Sequence, residues 1–95
     1  MHINWTEQAV RDLEHIRMYY VAQGSPGAAG AMLAAILSAA EAIGEMPQRG
    51  RAGRVAGTRE FVVSHTPYII AYRAGQPRPD ILAVIHGARM WPESL

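Results

Sequence analysis

From Arg59 to Arg89 the chain reads REFVVS, HTP, YIIAYRA, GQPRP, DILAVIH, GAR: three runs rich in Val, Ile, Tyr and Phe, separated by two short clusters of Pro, Gly, Gln and Thr. β-Branched and aromatic side chains suit a pleated surface, and gaps this short join strands that run antiparallel. The pattern predicts a three-strand meander over Arg59–Ser64, Tyr68–Ala74 and Asp80–His86. Alternation puts Phe61 with Val63, Tyr68 with Ile70 and Tyr72, and Leu82 with Val84 on one face. The other face then carries Val62, Ile69, Ala71, Ile81, Ala83 and Ile85, and it is apolar too. A sheet wet on one side shows polar residues there. This one predicts a cover for both faces.

The N-terminal half supplies one cover. His2–Trp5 reads as a short extended start, placed as an additional strand against the meander. Thr6 suits an N-cap, with Glu7 favourable in the first turn. Val10, Leu13, Ile16 and Tyr20 follow at helical spacing, widened by Ala9 and Val21, while Arg11, Asp12 and Glu14 face away. Gly24 is a natural stop. Ser25-Pro26 restarts the chain as N-cap and first helical residue. The second helix is expected from Pro26 to Met46, burying Ala29, Met32, Leu33, Ile36, Leu37, Ala40 and Ile43, with Gly27, Gly30 and many alanines letting a partner helix approach. Two helices across so short a break form an antiparallel hairpin. That hairpin covers one face of the sheet and leaves the other. Pro47–Arg59, PQRGRAGRVAGTR, is too polar and Gly-rich for an element interior and reads as a loop. After the last strand comes a short tail in which Trp91 either folds back on the sheet or waits for a partner.

Ninety-five residues, 49% hydrophobic with net charge +1, make one folded domain rather than a disordered chain. The absence of cysteine excludes disulfides, thiolate metal sites and cysteine nucleophiles. His2, Asn4, Glu7 and Gln8 interrupt any leader-like run, and the Ala-rich stretch from Ala28 to Ile43 is short for a membrane span. A cytoplasmic protein with no membrane partner is expected. An acidic half precedes a basic one: Arg49, Arg51, Arg54, Arg59, Arg73, Arg78 and Arg89 all follow Pro47. Every basic residue is Arg, which fits bidentate carboxylate or phosphate contacts, or codon bias in an Ala/Gly/Arg-rich genome.

The Gly-rich loop is no phosphate cradle, because it lacks Gly-Lys-Ser/Thr and opens a strand. His2, His15, His65 and His86 show no metal-ligand spacing, and no cofactor is expected. Ser64 beside His65 makes no nucleophile pair by adjacency. His86 ends the last strand just before Arg89, so it is either an acid/base group converging with arginines near Arg59 or Arg73, or a strand-end histidine bonded to backbone. The loop arginines Arg49, Arg51 and Arg54 form either a patch for an acidic partner or nucleic acid, or a solvated loop.

WTEQAVRDLEHI, the PQRGRAGR loop, TREFVVS, PYIIAYR and ILAVIHGARMWPE together resemble the RelE/ParE superfamily of toxins from bacterial type II toxin–antitoxin operons. The likeness runs over nearly the whole chain, as a single domain over residues 1–95. It implies an α+β fold: a short N-terminal strand and an antiparallel helical hairpin packed on a three- to four-stranded antiparallel sheet. It also implies a growth-arresting cytoplasmic toxin, of the kind tied to plasmid stabilisation, in a hetero-oligomer with a cognate antitoxin. RelE-like members cleave mRNA on the ribosome with basic residues on the sheet. Here Ile69, Glu60 and Val62 stand where such chains carry basic side chains, and only Arg89 matches. An isoleucine cannot clamp a phosphate.

The chain therefore resembles the ParE branch more, whose members poison DNA gyrase as binding inhibitors rather than enzymes. On that likeness Arg51, Arg54, Arg59, Arg73, Arg89 and Trp91 are candidates for meeting antitoxin or target. The alternative is a ribosome-dependent endoribonuclease using Arg59, Arg73, His86 and Arg89; direct contact with nucleic acid is left open. No metal site is expected.

Overall fold

The computed structural model describes residues 3–75, 77–88, 91 and 95. Its elements run β1 (Asn4–Trp5), α1 (Glu7–Ala22), α2 (Pro26–Glu45), β2 (Arg51–Ala52), β3 (Arg59–Val62), β4 (Tyr68–Arg73) and β5 (Asp80–His86). The strands form one sheet in the order β1-β5-β4-β3-β2, parallel between β1 and β5 and antiparallel elsewhere. This is the α+β hairpin-on-sheet architecture expected, except that the sheet is mixed rather than wholly antiparallel, because β1 runs parallel to β5, and has five strands rather than three or four. The extra one is β2, where a plain loop was read: Arg51 and Ala52 pair with Glu60 and Arg59. Two exposed residues carry no apolar pattern, so nothing local marks them.

Thr6 joins the first helix to the sheet. Its Oγ1 accepts the Ala9 N–H at 3.3 Å as an N-cap and donates to the Ile81 carbonyl at 2.7 Å. At the other end Gly24 takes φ +76°, the left-handed stop that a glycine supplies without strain. Ser25 sits at the N-cap of α2, but its side chain makes no capping bond; Pro26 at the first helical position sets the start instead.

One core lies between the hairpin and one sheet face. Ala9 and Ile16 from α1 and Ile36, Ala40 and Ile43 from α2 meet Val63, Tyr68, Ile70, Tyr72, Ile81 and Val84. Three helix expectations are corrected. Val10, Val21 and Leu37 are exposed, Leu37 by 47%, because the buried stripes run through Ala9–Leu13–Ile16–Tyr20 and Met32–Leu33–Ile36–Ala40. Asp12 does not face away: its Oδ2 accepts the Val84 N–H at 2.9 Å, on the edge of β5 that the two-residue β1 leaves unpaired. Nor do Gly27 and Gly30 admit a helix of this chain, since a Cβ at either would meet nothing within 4 Å.

The sheet corrects one face assignment. Ala71 pairs with Ala83 but Tyr72 pairs with Ile81, so β5 carries an extra residue at Leu82. A bulge of this kind resets the alternation. Ile81 consequently joins Val84 on the core side, fully buried, instead of sharing the reverse face with Ala83 and Ile85. The reverse face is ordered in two rows, Glu60–Ala71–Ala83 and Val62–Ile69–Ile85. Ala71, Ala83 and Glu60 are buried there, whereas Val62 stays 48% exposed. A reverse face bare of any cover from its own chain was expected. The structure covers part of it.

Candidate functional site: a braced basic loop against the reverse face

Over Glu60 the cover is Arg51 and Arg54, from the segment between α2 and β3, and on the opposite, core side that segment is braced by Tyr72. That hydroxyl, at the end of a buried β4 side chain, accepts the Gly50 N–H at 2.8 Å and donates to the Pro47 carbonyl at 2.7 Å. Gly50 is obligatory at this approach, because a Cβ would fall 2.6 Å from the Tyr72 hydroxyl and 2.9 Å from the Glu60 carbonyl oxygen. Arg59 reaches the carbonyl of Gly50 at 2.7 Å and the side chain of Gln48. Arg73 donates to the Gly57 carbonyl at 3.2 Å. Thr58 closes the loop on itself, its hydroxyl donating to Val55 O at 2.6 Å while its own carbonyl accepts the Gly53 N–H at 2.8 Å.

Glu60 organises the charge. It is the one acidic residue between Arg49 and Arg73, a span holding five arginines. Its side chain is 3% exposed. One carboxylate oxygen accepts Arg51 Nη2 at 3.1 Å; the other accepts the Arg54 amide at 2.8 Å and Arg54 Nε at 3.2 Å. Burial alone pushes this carboxyl up, but the Arg54 amide and the two guanidiniums outweigh it and hold it below the ordinary glutamate range. On top of Arg54 lies Trp91, its ring centre 3.7 Å from the guanidinium carbon. Trp91 therefore folds back over the sheet.

The predicted residues divide into two places. Arg51, Arg54, Arg59, Arg73 and Trp91 gather at the β2–β3 end of the sheet. His86 does not join them. It pairs with Tyr68, at the far end of β4 from Arg73, roughly 16 Å away by strand rise. There its Nδ1 accepts the Ala88 N–H at 3.1 Å and its ring meets Tyr68 edge-on. Arg89 lies outside the described residues. His86 instead opens on a groove of about 1020 Å³ between α1 and the free edge of β5, lined among others by Gln8, His15, Tyr19, Leu82 and Val84. Among the described residues no group of His, Asp or Glu is arranged to hold a metal. The sequence reading passed over Glu60 and Asp12 as organising residues; for Glu60 the signal was a lone carboxylate within an arginine run.

This geometry sets the guanidiniums of Arg51 and Arg54 beside the exposed aliphatic Val62, an arrangement chemically able to take an acidic ligand. It does not assemble an acid/base group with a phosphate clamp among the described residues. Y4kP of Sinorhizobium fredii is 41% identical over 93 residues, 98% of this chain and 95% of that protein. Toxin RelE2 of Caulobacter vibrioides is 40% identical over 86 residues, 90% of this chain and 94% of that one. A chain from the chromosomal ParDE system of P. aeruginosa shares the fold, with a TM-score of 0.81 at 23% identity, covering 90% of this chain and 98% of that chain. Residues 3–91 match the ParE toxin family of type II toxin–antitoxin systems, and the chain belongs to that family.

Proposed function

We propose that this toxin arrests growth as a binding inhibitor of DNA gyrase and is neutralised in the cytoplasm by a cognate antitoxin. One observation carries the choice against RNA cleavage. At the three positions where RelE-like chains carry basic side chains, Glu60 is a buried carboxylate bound to Arg51 and Arg54, Ile69 is buried, and Val62 is an exposed aliphatic. The nearest replacements, Arg59 and Arg73, are engaged by loop carbonyls, and His86 stands at the opposite end of the strand. Phosphoryl chemistry needs donors aimed at one reacting centre. The test is direct: the purified protein inhibits supercoiling or accumulates cleaved DNA with gyrase, and leaves mRNA on translating ribosomes intact. No effect on gyrase at high protein concentration overturns the reading.

The name of the Caulobacter relative favours a second reading, a ribosome-dependent endoribonuclease using Arg59, Arg73, His86 and Arg89. It requires that His86→Ala or Arg89→Ala abolish growth arrest. Toxicity equal to the parent in both variants removes it. For the antitoxin, the reverse face supplies an apolar centre at Val62 and Ile69 with Arg51 and Arg54 beside it, and the α1–β5 groove offers a second surface toward the opposite edge of the sheet, beside the hairpin.

A further inference from the structure

The Arg54–Trp91 stack has two opposed features. A guanidinium over an indole face is attractive. Yet the Trp91 Nε1 is buried with no hydrogen-bond acceptor among the described residues, and stranding a donor in this way is unfavourable by a comparable amount. Arg54 itself commits only its amide and Nε to Glu60; its terminal nitrogens have no acceptor among the described residues, and its side chain is 49% exposed. The closed stack is therefore held by a small margin over a cation that is only half satisfied.

We propose that Trp91 is an intramolecular cap on Arg54, displaced when an acidic, extended segment of a protein partner docks on the reverse face. A partner carboxylate takes the terminal nitrogens of Arg54, and the released indole N–H reaches water. The occupant follows from charge: on this face Arg51 and Arg54 outnumber the single carboxylate of Glu60, leaving a net positive patch beside exposed Val62. Glu60 keeps Arg54 in place throughout, since its bonds use the inner nitrogens. The proposal rests on reading this face as the antitoxin's.

Trp5→Phe leaves Trp91 as the sole tryptophan and makes acrylamide quenching report the cap. Poly-L-glutamate, whose binding is followed separately by anisotropy of a labelled sample, is expected to raise Trp91 quenching as it saturates. Arg54→Lys, which keeps the charge but not the planar stack, shows the quenched level without ligand. Trp91→Ala binds poly-L-glutamate roughly two- to tenfold more tightly, because no cap competes. Trp91→Phe, a ring without the stranded N–H, binds more weakly than the parent. Saturation by poly-L-glutamate with unchanged quenching, equal affinity of the Trp91→Ala protein, or a response to duplex DNA but not to poly-L-glutamate overturns the proposal. An antitoxin that neutralises growth arrest without altering Trp91 quenching overturns the cap alone. One that does not bind overturns the reading of the face.

Discussion

Glu60 is where a single side chain decides the most. Its folded carboxyl lies below the ordinary value of 4.5, so the stabilisation it contributes is fully present above that value and is lost as the pH falls through the folded one. Glu60→Gln is expected to cost about 1–3 kcal/mol at neutral pH, toward the lower end because both arginine partners are half exposed. Urea midpoints of parent and variant should converge below pH 4.5; a constant gap across that window contradicts the assignment. Tyr72→Phe removes one bond from Gly50 and one to Pro47 at a buried position, and is expected to cost about 1–3 kcal/mol by denaturant titration. In sequence Tyr72 was legible as a core residue of a strand. Its hydroxyl's partners, 22 and 25 residues away, were not.

Among the elements, α2 and the edge of β5 make contrasting predictions. Gly30 is helical and faces open space, so Gly30→Ala is expected to stabilise the protein by about 0.5–1 kcal/mol, whereas Gly50→Ala, with Tyr72 and Glu60 in the way, destabilises it; thermal melts separate the two. Asp12→Ala strands the Val84 N–H on the strand edge. Because the adjoining groove lets water in, the loss is expected near the low end of about 1–2 kcal/mol. α2 is long and apolar enough to cross a membrane, with mean hydropathy 1.5, but Ile36, Ala40 and Ile43 are spent on the core. Helix limits were readable to within a residue from Thr6, Gly24 and Pro26. Which residues face inward was less so, because an Ala-rich helix has apolar side chains all round.

For the whole molecule, charge and cover act together. Arg51 and Arg54 stand with Glu60 on the reverse face, where the proposed acidic partner would meet them, whereas Arg59 lies across the sheet on the face of Tyr72. Arg54→Gln is expected to weaken the antitoxin complex roughly tenfold and flatten its salt dependence. Unchanged affinity in a titration removes the electrostatic part of the interface. On expression, SOS induction without translation arrest accords with gyrase as the target; translation arrest without SOS induction does not.

By itself the sequence determined the three long strands, the two helices, their order and the basic loop, because these depend on periodicity and on turn residues within a few positions. Only the tertiary structure decided the Leu82 bulge that turns Ile81 inward, the pairing of β2, the bond from Val84 to Asp12 and the burial of Glu60 between two arginines. Each of these joins residues on different elements. Their partners are selected by how the elements pack, which no local pattern encodes.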